Sequence, residues 1–171
     1  MNRRNALAFG LAALSLAACG GIGAPALGAS TSRRTGIYKI TDNQAQAIPF
    51  RALDAINAIR RATNLTQVQF SAELNAASLT HSRDMSVQNR PWHFGSDGSS
   101  PLLRAQRVGY RGRFLGELIS ETFETELQTI SAWMKDPNTR SVLLDREVMQ
   151  IGFAWYQESN GKIWWTLMTG A

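Results

Sequence analysis

Apolar residues recur at three- and four-residue steps from Pro49 to about Thr63, with Ala52, Leu53, Ile56 and Ile59 on one stripe. That period predicts an amphipathic helix opening on the proline, whose missing N–H is not needed in a first turn. A second stripe, Leu74, Ala77, His81 and Met85, predicts a helix from about Ala72 to Gln88, with Ser71 as N-cap and Glu73 in the first turn. Leu127, Ile130 and Met134 repeat the pattern between Glu124 and Lys135, and Ser100-Pro101 marks the start of a short helix between these two.

Other segments have strand character. Leu115 to Ser120, Ile151 to Gln157 and Ile163 to Met168 are rich in β-branched and aromatic residues, and the last two flank Asn160-Gly161, a pair suited to a hairpin turn. Ile37-Tyr38-Lys39-Ile40 has the same character and predicts a short strand. Helices first, a middle strand and a final hairpin predict an α+β domain whose helices cover an antiparallel sheet. Trp133, Trp155, Trp164 and Trp165 read as packing residues. Strand alternation leaves one of the adjacent Trp164 and Trp165 exposed for a binding surface.

The N-terminus breaks this patterning. Arg3 and Arg4 precede an apolar run from Ala6 to Leu14, too short to span a bilayer, which predicts a signal peptide over residues 1–18. Leu16-Ala17-Ala18-Cys19-Gly20 is similar to the bacterial lipobox, which makes Cys19 the lipidated first residue of a mature chain. Cys19 is the only cysteine, so it can close no disulfide within the chain. Residues 19–36, rich in Gly, Ala, Ser and Thr, read as a tether, and residues 37–171 as the domain. The expected partner of Cys19 is the membrane, and the expected location the bacterial cell envelope (outer membrane or periplasm in a Gram-negative host).

Composition narrows the picture further. At 171 residues, 44% hydrophobic and 18% charged, the chain suits a single core. The net charge of +5 includes Arg3 and Arg4, and the remaining arginines do not interleave with aromatics in a basic stripe, so nucleic acid is not an expected partner.

Candidate chemistry gathers in RPWHFGSDGSSP, residues 90–101. His93, Asp97 and the serines lie too close together on one turn to point at one another as a hydrolytic triad, and no G-x-S-x-G elbow is present. Gly95, Asp97, Gly98 and Ser100 instead predict an Asx-type turn followed by a capped helix beginning at Pro101.

Several pieces share a fixed order: Ile56-Asn57-x-x-Arg60, Leu74-x-x-Ala77-x-x-x-His81-x-x-Asp84-Met85, His93-x-Gly95-Ser96-Asp97-Gly98-Ser99-Ser100-Pro101, Arg104-Ala105-x-x-x-x-Gly109-Tyr110, Gly116-Glu117, Trp133-x-x-x-Pro137, Ile151-Gly152 and Trp165. In this order they resemble the CAP (SCP/TAPS) superfamily, in its bacterial exported branch, from about Ala52 to Gly170. The resemblance implies an α-β-α sandwich with a central antiparallel sheet, and a cleft where many members place two histidines and two glutamates. His93 matches the first histidine and Glu117 the glutamate of a Gly-Glu-Asn motif. Thr139 stands where the second histidine would be, Gln150 where the later glutamate would be, and Leu118 where the asparagine would be.

Zinc asks for three or four deprotonated ligands, so His93 and Glu117 make an incomplete metal set. His81, on the apolar stripe, reads as a packed core residue rather than a replacement ligand. The expectation is a domain with no catalytic residues and no cofactor, a binding or interaction module for an apolar ligand, a glycan or an envelope protein. The alternative is a hydrolase or metal-binding protein, with a divalent metal such as zinc, that uses the His93/Glu117 cleft.

Overall fold

The computed structural model describes residues 36–171; the signal peptide, Cys19 and nearly all of the tether lie outside the described residues. The described residues form one compact unit, which contains the secondary-structure elements found among them and both hydrophobic clusters. The elements are α1 (Asp42–Ala62), β1 (Gln69–Phe70), α2 (Ala72–Gln88), α3 (Pro101–Arg107), β2 (Phe114–Ser120), α4 (Glu126–Lys135), α5 (Pro137–Leu143), β3 (Gln150–Gln157) and β4 (Ile163–Gly170).

The sheet order is β1-β3-β4-β2. β4 pairs antiparallel with both neighbours, while the two-residue β1 adds a parallel edge to β3, so the sheet is mixed rather than purely antiparallel. One face carries Leu118, Ile151, Phe153, Trp165 and Leu167 against Ile48, Ala52 and Ile56 of α1, Ile130 and Trp133 of α4 and Leu143 of α5. The opposite face carries Met168 against Leu74 and Ala77 of α2 and Ala105 of α3. This is the α-β-α layering.

All eight residues of β4 are buried, because helices cover both of its faces. Trp164 and Trp165 are therefore both enclosed, which corrects the expectation that one of them reaches the surface. Trp165 stacks on Phe153 at 5.7 Å, and the Trp164 indole donates to Glu158 Oε1 at 2.6 Å.

Two further expectations change. α1 begins two turns before Pro49, because Thr41 and Gln44 form a reciprocal capping box that starts the helix upstream and carries it through the proline. Ile37 to Ile40 is not a strand. It lies along the end of β3, where the Gln157 amide receives Ile40 N–H at 2.9 Å and donates to Tyr38 O at 3.0 Å. Further along the same strand, Asn75 Oδ1 accepts Phe153 N–H at 3.2 Å. The Asn160-Gly161 turn joins β3 and β4 as expected, with Gly161 at φ +97°.

Loops near the α1 end are fixed by polar side chains with no exposure to speak of. Arg60 is fully buried and donates to the carbonyls of Thr66, Leu143, Asp145 and Val148 at 2.8 to 3.0 Å, while Asn57 holds both the N–H and the C=O of Val68. A guanidinium with its donors directed at carbonyls satisfies backbone groups that would otherwise be orphaned.

α2 lies very close to the sheet. Small residues permit this: Ser78 donates to Gly152 O at 3.1 Å, and Ser82 donates to Thr166 Oγ1 at 2.9 Å. A Cβ on Gly152 would stand 2.1 Å from the Leu74 carbonyl carbon, and backbone cannot rotate away. Gly152→Ala is expected to destabilise the domain by about 3 kcal/mol through overpacking, read as a lower urea midpoint with unchanged slope.

Candidate functional site

β2 places Glu117 opposite Met168 of β4, on the face covered by α2 and α3, and Leu118 on the other face. The Glu117 side chain is only 1% exposed, so its carboxylate must find partners within the protein. It finds three. Arg104 Nη2, from α3, donates to Oε2 at 2.6 Å; His93 Nδ1 lies 2.9 Å from Oε1; and His81 Nε2, from α2, lies 3.6 Å from the same oxygen.

The same side chains hold the segment between α2 and α3. Arg104 donates through Nη1 to Ser99 O at 2.9 Å and through Nη2 to His93 O at 3.0 Å. His81 Nε2 lies 3.0 Å from Trp92 O, and a carbonyl can only accept, so Nε2 carries the proton. Two buried atoms among the described residues have no partner, His81 Nδ1 and Arg104 Nε, both in this cluster.

The GSDGSSP segment is a turn and a helix start. Gly95 N–H donates to Ser99 O, Gly98 adopts φ +76°, Ser99 N–H donates to Asp97 Oδ1 at 2.9 Å, and Ser100 Oγ caps α3 by accepting Leu103 N–H. The Ser99 hydroxyl and Arg107 hold the Asp97 carboxyl well below the usual carboxylate range, and Asp97 pairs with Arg107. Asp84 ties the turn to α2 by accepting from Ser96 N–H at 2.8 Å and from its hydroxyl at 2.5 Å.

The positions that would complete a metal set face other partners. The Thr139 hydroxyl donates to Trp133 O at 2.6 Å, and Gln150 Oε1 accepts the Tyr110 hydroxyl at 2.9 Å. Among the described residues no group of three or more His, Cys, Asp or Glu side chains is suited to a metal ion. The donor chemistry agrees. Both Glu117 oxygens are engaged, and a guanidinium already stands on one, where a divalent cation would meet like charge. The residues present do not fit a bound metal.

His93 and Glu117 thus meet as a pair, with His93 half exposed at 51% and Glu117 buried. Reading the sequence alone missed Arg104 as the third member and His81 as a neighbour of the same oxygen. The available signal was Glu117 itself: an acid inside the apolar strand Phe114–Ser120 requires a buried cation.

With this geometry in place, comparison with known proteins is informative. Residues 53–168 match the family model described as CAP, cysteine-rich secretory protein family, and the chain belongs to that family. No curated protein sequence gives a significant match. Among solved structures, an outer surface protein from Borrelia burgdorferi aligns with TM-score 0.67 at 15% identity, covering 78% of this chain and 96% of that one. An extracellular protein containing a SCP domain from Bacillus anthracis aligns with TM-score 0.67 at 19% identity, over 78% of this chain and 45% of that one. A cysteine-rich secretory protein from Staphylococcus aureus aligns with TM-score 0.62 at 13% identity, over 78% and 42%. The chain therefore spans under half of the Bacillus and Staphylococcus proteins, and the likeness establishes the fold.

His81 generates a pH prediction. Desolvation lowers its proton affinity and Arg104 adds to this, outweighing the opposing pull of Glu117, the Trp92 carbonyl and Asp84. The folded chain holds this imidazole neutral at a pH where an unfolded one, with a pKa of about 6.5, takes up a proton. Its contribution is complete above that pH and is lost as pH falls, by up to about 1.4 kcal/mol per pH unit. Urea midpoints at pH 7 and pH 5 are expected to differ less in His81→Gln than in the parent.

Proposed function

We propose that this protein is a non-catalytic binding or interaction module of the bacterial cell envelope, exported and held to the membrane by a lipid on Cys19. The observation that carries the non-catalytic reading is the complete engagement of the Glu117 carboxylate: Arg104, His93 and His81 surround it, and the same groups hold the backbone at Trp92, His93 and Ser99. A cluster used in this way fixes a loop. The partners this module would serve are an apolar ligand, a glycan or another envelope protein. The Borrelia and Bacillus neighbours, described as an outer surface protein and an extracellular protein, make an exported setting a natural one for this fold.

One observation favours a second reading. His93 exposes half of its side chain while its Nδ1 rests on Glu117, the disposition of a general base oriented by a carboxylate. Hydrolysis also needs a nucleophile, and the nearby hydroxyls are engaged: Ser96 on Asp84, Ser99 on Asp97, and Ser100 as the α3 cap. In this reading the attacking group is therefore a water molecule whose proton His93 accepts.

Two measurements test these statements. Purified protein is expected to contain no stoichiometric zinc and to show the same melting temperature with and without it, since a ligand of the native state would raise that temperature. A zinc-dependent rise, or an ester hydrolysis rate abolished by Glu117→Gln, would establish the second reading instead. For the anchor, Cys19→Ala is expected to move the protein from the membrane to the soluble fraction; unchanged fractionation would remove lipidation from the proposal.

A further inference from the structure

The N–H and C=O groups of a strand point alternately to its two sides. In β3 the even positions face β4, since that ladder continues past the strand end with Glu158 N–H donating to Lys162 O at 2.8 Å. The odd positions face outward, since Ile151 O accepts the Ser71 N–H at 2.9 Å. Two of these outward places are covered: β1 and Ser71 take the strand as far as Ile151, and Asn75 Oδ1 takes the Phe153 N–H. Trp155 comes next in the same phase, and its N–H and C=O have no hydrogen-bond partner among the described residues.

A groove runs beside this residue. Pro49 of α1 and Asn75, Leu79 and Arg83 of α2 wall a cavity of about 400 Å³ over the Phe153 to Gln157 stretch of β3. Pro49 and Asn75 also border a second cavity of about 360 Å³, lined by Phe50 and Phe70, so the two adjoin. Phe50 is 66% exposed. Arg83 is the one charged residue on the walls of either cavity, and it makes no ion pair among the described residues.

We propose that this groove binds an extended peptide segment of another protein, which joins the sheet as an added strand beside Trp155. A backbone N–H and C=O left free on a strand edge are complemented by another backbone, and the added strand continues the line that β1 begins. Phe50 and Phe70 offer the adjoining cavity to an apolar side chain of that peptide. Arg83 supplies charge complementarity to a carboxylate on it, with no acid on the groove walls to compete. The inference rests on the reading of the chain as an interaction module and places the interaction away from the Glu117 cluster.

The test titrates the Thr35–Ala171 unit with an acetylated, amidated peptide that alternates Thr and Val around a central Phe and begins with Glu. Binding is expected, with slower hydrogen exchange at the Trp155 amide. N-methylation of alternate peptide residues in one phase is expected to weaken binding about tenfold, and in the other phase to leave it unchanged, because only one phase faces β3. Phe50→Ser is expected to weaken binding about tenfold, and Arg83→Ala about threefold. Leu127→Ser, which changes an exposed apolar residue of α4, should leave it unchanged. Near-UV circular dichroism on each variant confirms that the fold is retained. No binding of the peptide, equal loss from N-methylation in either phase, or unchanged affinity in Phe50→Ser would overturn the proposal. Sedimentation of the free unit as a dimer that the peptide leaves intact would also overturn it, by giving the edge to a second copy. Zinc melts on the same preparations keep the two readings apart: a unit that ignores peptide and zinc alike loses only the groove, whereas one stabilised by zinc loses the underlying reading.

Discussion

A carboxylate with almost no access to water sits in the middle of β2, and much of the region between the sheet and α3 follows from the need to pair it. Glu117 cannot remain there alone, because an isolated buried charge costs several kcal/mol. Arg104 meets it at 2.6 Å, and with both side chains buried that contact ties α3 to β2. A buried ion pair is a weak source of net stability compared with an apolar pair of the same volume. Its effect here is geometric: it selects one arrangement of α3 and of the turn before it.

From that arrangement the loop inherits its shape. Three consecutive residues in the chain are held from α2, α3 and β2: His81 and Gln88 of α2 take Trp92 and Phe94 through their carbonyls, and Arg104 of α3 and Glu117 of β2 take His93. The Arg104 guanidinium joins the two sides of that region, holding the Ser99 and His93 carbonyls. Arg60 repeats the device elsewhere in the domain, drawing the carbonyls of Thr66, Leu143, Asp145 and Val148 around one planar cation.

Legibility in the sequence followed the range of the physical signal. α2 was readable to its ends, since the apolar stripe and the Ser71 cap are local and agree with each other. The β3–β4 hairpin was readable because Asn160-Gly161 carries its own turn preference. The start of α1 was misread because a proline that opens many helices here lies inside one, behind a stronger cap at Thr41. β1 and α5 are too short to show a period. Trp164 and Trp165 were misassigned by applying two-fold alternation to a strand covered on both faces, although the uncharged run Ile163–Gly170 is the pattern of such a strand. In the site, the meeting of His93 with Glu117 was readable from the order of motifs. Arg104 was not, since an arginine on a short helix declares its partner only when the fold brings two positions 13 residues apart into contact.

The outer side of β3 bears on how such a protein survives among its own copies. Beyond Ile151 this strand has no strand neighbour on its outer side, and a bare ladder of amides invites another chain to add on. Two amide side chains close most of that opening: Asn75 takes the Phe153 N–H, and Gln157 fastens the incoming Tyr38 to Ile40 segment across the strand end. Substituting either would leave the contacts around Glu117 in place and yet give the sheet a free template, so the vulnerability exposed would be self-association rather than a loosened site.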